Sequence, residues 1–178
     1  AVLRDSVEIF QMIYNFPGIE KKPLMYHQKL PFHLAAKSGS LNVLKFIAEK
    51  TDNFDVNEKA AQGMTALHYA CKYNQKEIVS YLLKIPTCDI NSKTDEDLQA
   101  ALHFACKYCD IEIIKLLAER KDLKINERNI NDEPPLLFAI RSKFVEAVSF
   151  LINLEGIDLS TPKLMLEACY TPEQLMEE

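Results

Sequence analysis

His33, His68 and His103 stand 35 residues apart each time, in three closely matching segments. These are Leu30-Pro-Phe-His-Leu-Ala-Ala36, Thr65-Ala-Leu-His-Tyr-Ala-Cys71 and Ala100-Ala-Leu-His-Phe-Ala-Cys106. Histidine titrates nearest neutrality, so three of them invite general-base or metal-ligand chemistry. Cys106-Lys-Tyr-Cys109 adds a C-x-x-C, the spacing of a redox dithiol or of half a zinc site, and Asp95-Glu-Asp97 adds clustered carboxylates. These groups do not assemble. A residue recurring once per repeat recurs for one local reason, and groups separated by whole repeats do not converge on one ion. Imidazole can bridge backbone groups of adjacent turns through both nitrogens, so a structural role is expected for all three histidines. The C-x-x-C has no second pair and no histidine pair at zinc-finger spacing. Cys106 shares the small-residue position of Ala36 and Cys71, so a buried thiol is expected there, with only Cys109 in a turn and open to solvent. Asp95 to Asp97 fall in a loop tip and read as solvated. With no phosphate-binding glycine loop and no nucleophile elbow, neither an active site nor a cofactor or metal site is expected.

What positions these residues is a repeat. A fourth copy, Pro134-Pro-Leu-Leu-Phe-Ala-Ile140, follows after 34 residues with Leu137 in the histidine position. That period belongs to solenoids of stacked two-helix units, which present long surfaces rather than single pockets. In the second copy Thr65 suits a helix N-cap, and Ala66, Ala70 and Cys71 are small enough for close packing around the anchor Leu67. Asn74 sits where the chain must reverse, and asparagine tolerates the left-handed conformation. A second helix is predicted over Lys76–Lys84, with Ile78, Val79, Leu82 and Leu83 on one face and Pro86 beyond its end. Asp89-Ile-Asn91 then begins an extended link. Helices of about two turns are marginal alone in water, so each must bury its apolar face against neighbouring units.

These segments resemble the ankyrin repeat family, whose units open on a Thr-Pro-Leu-His-type motif and end near Asp-Val-Asn. The matching openings are Thr65-Ala-Leu-His68, Ala100-Ala-Leu-His103 and Leu30-Pro-Phe-His33; the matching ends are Asp55-Val-Asn57, Asp89-Ile-Asn91 and Lys124-Ile-Asn126. The fourth unit departs at Leu137 and ends in Asp158-Leu-Ser160. Gly39 and Gly63 keep two of the family's turn glycines, while Asn74, Cys109 and Lys143 replace others. The resemblance implies an all-α, ankyrin-like solenoid of stacked helix-turn-helix repeats with short hairpin loops. It also implies that the histidines are structural.

At 178 residues, 48% of them hydrophobic and 26% charged, the chain has the composition of a folded globular protein. Its net charge of −5 gives no general affinity for nucleic acid, and no apolar run approaches the roughly 20 residues of a membrane span. Five cysteines, three at repeat positions, do not form a disulfide framework, so a reducing compartment, cytoplasm or nucleus, is expected. Residues 1–29 read as a partial first repeat, 30–163 as four repeats with the last divergent, and 164–178 as a partial terminal repeat or cap. Glu8 to Pro17 align on the outer-helix segment Glu77 to Pro86; Met165-Leu-Glu-Ala-Cys169 echoes an inner helix, and Thr171-Pro-Glu-Gln174 reads as a capping box. The ends are read as cuts in a longer protein, with atypical capping units as the alternative.

Exposed positions carry the remaining signal. A cation follows each inner helix's small pair: Lys37, Lys72, Lys107 and Arg141, next to Ser38, Tyr73, Tyr108 and Ser142. In ankyrin-like arrays these would line the concave side, and Lys59, Lys93 and Arg128 would stand near the hairpin tips. Two explanations compete. Each cation can complement a helix C-terminus, or the column can receive an acidic segment of a partner protein with Tyr73 and Tyr108 as anchors. Tip residues Met64, Gln99 and Ile130 join the candidate binding set, Met64 and Ile130 as apolar groups that nothing local requires. The expected function is non-catalytic protein–protein recognition by a monomer. Alternatives are a regulatory or substrate-recruiting domain of a larger enzyme or effector, and a binder of an anionic ligand or RNA.

Overall fold

The computed structural model describes residues 7–15, 31–51, 54–108 and 110–160. Among them are nine short α-helices and no strand: α1 (Val7–Tyr14), α2 (Pro31–Ser38), α3 (Leu41–Lys50), α4 (Ala66–Lys72), α5 (Lys76–Leu83), α6 (Ala101–Tyr108), α7 (Ile111–Ala118), α8 (Pro135–Arg141) and α9 (Val145–Ile152). From α2 onward they alternate as inner and outer members of antiparallel pairs. The inner helices α2, α4, α6 and α8 stack in order, and each packs on its own outer partner. Helix α1 packs on α3, at the level of the outer helices. The expected helical solenoid is what the chain forms.

Small residues set the spacing. Ala35, Ala70, Ala105 and Ala139 recur on the inner helices and are fully buried, letting neighbouring backbones approach closely. Leu44, Ile78, Leu82, Ile113, Ile114, Leu117 and Leu151 supply the outer-helix side of one continuous core. The reversals use left-handed residues: φ is +74° at Gly39, +55° at Asn74 and +55° at Lys143. The terminal segments Met165–Cys169 and Thr171–Gln174 lie outside the described residues, as does Cys109.

The loops between units are hairpins with tips near 62, 97 and 131. Main-chain bonds tie one tip to the next: Asp95 N–H donates to Gln62 O at 3.0 Å, and Ile130 N–H donates to Asp97 O at 2.9 Å. These bonds make the row of tips one connected surface.

Candidate functional site

The histidines tie each inner helix to the hairpin that follows it. His68 is 1% exposed in the first turn of α4, where Thr65 holds the N-cap. The Thr65 backbone N–H donates to His68 Nδ1 at 3.0 Å, and the Thr65 hydroxyl lies 2.9 Å from the same atom. This is a capping box with imidazole in place of the usual Glu or Gln. Nδ1 must therefore be bare, and Nε2–H donates to Ser92 O in the next hairpin at 2.9 Å. His103 repeats the arrangement with Ala100 N–H at 3.1 Å and Glu133 O at 3.1 Å. His33 Nε2 reaches Glu58 O at 2.8 Å; its Nδ1 finds no partner among the described residues. Each ring also meets an aromatic of the following unit edge-on: Tyr69, Phe104 and Phe138. Burial lowers the pKa of all three, His68 to about 4. Both nitrogens of His68 and His103 are occupied by backbone groups, so these rings cannot serve as ligands or bases.

Cys71, Cys88 and Cys106 are buried, and burial pushes the Cys88 thiol up to about 11. Among the described residues no three His, Cys, Asp or Glu side chains group as a metal site requires.

The four cations of the column stand in the last turns of α2, α4, α6 and α8. The Lys37 amine stands 4.7 Å from the Tyr73 ring centre, and Lys72 stands 5.9 Å from that of Phe104. Each of these lysines therefore leans on the next unit. Lys107 lies 5.0 Å from its neighbour Tyr108, whose ring stacks on Phe104. Such contacts orient the amines without neutralising them. No carboxylate pairs with Lys37, Lys72 or Lys107 among the described residues. Tyr73 and Tyr108 are 39% and 45% exposed. Arg141 differs, because its guanidinium donates to the buried Glu133 carboxylate at 2.8 Å.

The tip cations are engaged with the next unit. Lys59 pairs with Asp95 at 2.7 Å, Lys93 with Glu127, and Arg128 with Asp158 at 3.1 Å. An open groove of about 830 Å3 collects Lys93, Arg120, Lys121, Lys124 and Arg128, and all of these but Lys121 have a carboxylate partner among the described residues. Ile130 is 60% exposed and Gln99 is half-buried. Met64 corrects the expectation of an exposed tip residue: it is 3% exposed and belongs to the core. The left-handed turn at Gln62 and Gly63 ends the tip early, so Met64 already lies on the returning arm, its carbonyl accepting from Ala60 N–H at 2.9 Å.

Two features escape the sequence reading. The loop-end asparagines form a ladder: Asn57 donates to Thr87 O and accepts from Asp89 N–H, and Asn91 and Asn126 repeat this on Asp122 with Lys124 and on Gly156 with Asp158. Their spacing was visible; their partners lie one unit away. The other is the backbone of Leu98, which has φ +53°.

Comparison with known proteins agrees with this architecture. A family model described as ankyrin repeats (3 copies) matches residues 1–94, and one described as ankyrin repeats (many copies) matches 89–152. The chain is 35% identical over 78 residues to the eye-specific diacylglycerol kinase of Drosophila melanogaster, covering 44% of this chain and 5% of the kinase. It is 31% identical over 130 residues to alpha-latrotoxin-Lt1a of Latrodectus tredecimguttatus, covering 71% of this chain and 9% of the toxin. Osteoclast-stimulating factor 1 of Danio rerio is 35% identical over 63 residues, covering 35% of this chain and 28% of that protein. The chain thus spans only a small part of the length of these relatives.

Proposed function

The chain belongs to the ankyrin repeat family, whose repeats are in general protein–protein interaction modules, and on that premise we propose that it is a non-catalytic binder of one partner protein. The partner's acidic segment lies along Lys37, Lys72 and Lys107, with Tyr73 and Tyr108 as anchors, on the side that repeat arrays present as their binding face. The observation that carries this is the trio of oriented amines, with no carboxylate partner among the described residues, beside two exposed tyrosines. A helix-dipole role accounts for a cation in each last turn. It does not account for tyrosines left open to solvent beside the amines, and Tyr and Arg are the residues that binding hot spots favour. Arg141 takes the end of the column, held by Glu133.

The test is a display library of random peptides selected on the wild-type chain and on Lys72→Glu/Lys107→Glu. Acidic sequences with aromatic or apolar residues should enrich on the wild type and bind the variant at least about tenfold more weakly, with little change in melting temperature. Equal binding to both proteins would leave the lysines with the dipole role alone. Raising salt separates the alternatives. An anchored protein complex loses affinity modestly, whereas an RNA or small-anion binder loses it steeply, in proportion to the charges neutralised.

A second reading, that the chain serves as a regulatory or recruiting module inside a longer protein, is supported by its covering 5% and 9% of a kinase and a toxin.

A further inference from the structure

The position two residues before the second, third and fourth opening motifs holds Gly63, Leu98 and Asp132. All three are left-handed, with φ of +68°, +53° and +60°. The tip therefore demands that conformation whatever residue fills it. Glycine adopts it freely and aspartate tolerates it, whereas leucine is strained there by about 1–2 kcal/mol.

Burial does not explain the leucine, because Leu98 is 40% exposed. On the neighbouring tip Ile130 is 60% exposed, and its amide bond to Asp97 O locks the two tips together. The hairpin behind Leu98 is closed by Thr94 N–H to Gln99 O and by Gln99 N–H to the Thr94 hydroxyl, both at 3.0 Å. Two apolar side chains thus stand on rigid, adjacent tips where solvation alone favours polar residues. Asp95, Glu96, Asp97 and Asp132 surround them, all exposed. Lys59 holds Asp95 and Arg128 holds Asp132, while Glu96 and Asp97 have no cation partner among the described residues.

We propose that Leu98 and Ile130 form a preorganised apolar anchor, rimmed by Glu96 and Asp97, for a partner-protein segment with an apolar side chain flanked by Lys or Arg. This rests on the partner-binding function above and adds a direction to it. The inner-helix column is positive and the tips are negative, so the partner lies with its acidic stretch on the column and its basic, apolar stretch at the tips. A partner with the reverse charge order is repelled at both ends. Backbone strain kept at an exposed residue fits a site selected for binding over stability.

In the test, a phage-displayed random peptide library is panned on the wild-type chain, on Leu98→Asn/Ile130→Ser, and on Lys72→Glu/Lys107→Glu. Enriched peptides are then titrated against all three. The expected tip-dependent consensus pairs an apolar residue with Lys or Arg and weakens at least about tenfold on the tip variant. Leu98→Asn alone should melt at or above the wild-type temperature, since asparagine relieves the strain. An empty selection, a consensus without basic residues, binding indifferent to the tip variant, or a lowered melting temperature for Leu98→Asn overturns the proposal. A wild-type dimer that the tip variant dissociates in sedimentation also overturns it, making a second copy the occupant. Peptides lost only on the lysine variant report on the column alone, so the two proposals fail separately.

Discussion

Burial holds the His68 imidazole at a pKa of about 4, against an ordinary 6.5, and its bond to the Ser92 carbonyl offsets only part of that shift. The geometry demands the same neutral form, since Thr65 N–H needs the lone pair of Nδ1. In the unfolded chain the ring protonates near 6.5, so between that pH and about 4 the unfolded state binds the extra proton. The stability supplied by the neutral ring is complete above 6.5 and is lost as pH falls to 4, of order 3 kcal/mol for this one group. His33 and His103 are lowered too and act with the same sign. Urea unfolding midpoints should therefore decline from pH 7 to 4.5. His68→Leu copies the residue of the fourth unit; it should cost about 2 kcal/mol at pH 7 and make that decline shallower. An unchanged decline in the variant would show that the ring titrates normally. Recurrence alone made the histidines legible as scaffold. Met64 and Leu98 were not, because which way each faces depends on the φ of one tip residue, which periodicity does not carry.

The hairpins and turns, rather than the helices, hold the specificity of each unit. Lys76–Leu83 forms a helix as its 3–4 spacing predicts, but many sequences would do the same. The turns are less replaceable, and they differ. A Cβ at Gly63 would lie 2.5 Å from the Asp95 backbone nitrogen, which is fixed by its bond to Gln62 O. A Cβ at Gly39 would lie 2.3 Å from the tip of the Gln75 side chain, which can swing away at the loss of its bond to Lys37 O. Both glycines are left-handed, so alanine strains either. Gly39→Ala should cost about 1–2 kcal/mol, and Gly63→Ala more, because there the hairpin itself must move. Chemical denaturation of the two variants side by side measures the difference, and equal losses would mean the tip is pliable. The sequence showed both glycines as turn residues. It could not show that one faces a backbone and the other a side chain, since each contact comes from the following unit.

Among the described residues each helix packs chiefly on its own partner and on the helices of adjacent units, so stability is close to a sum of local pairs and interfaces. The fully buried alanines at 35, 70, 105 and 139 make this testable, because Ala105 lies on α6, a helix that packs on both α4 and α8. Ala105→Leu inserts three carbons where backbones already meet and should cost about 1–3 kcal/mol. The damage should also be unevenly spread. Helices α8 and α9 depend on α6 and α7 for burial on that side, whereas α2 to α5 keep each other. Hydrogen exchange read by mass spectrometry should then show α6 to α9 losing protection together while α2 and α4 retain most of theirs. Uniform loss across all helices would mean that the array folds as one indivisible unit and that nearest-neighbour coupling is the wrong account. The period of 35 foretold this linear architecture, because short amphipathic helices at fixed spacing have no other way to bury their faces. The charge polarity between column and tips was only half legible: the lysines were visible as a series, but that the described carboxylates pair with Lys59, Lys93 and Arg128 rather than with them emerges only when the units are stacked.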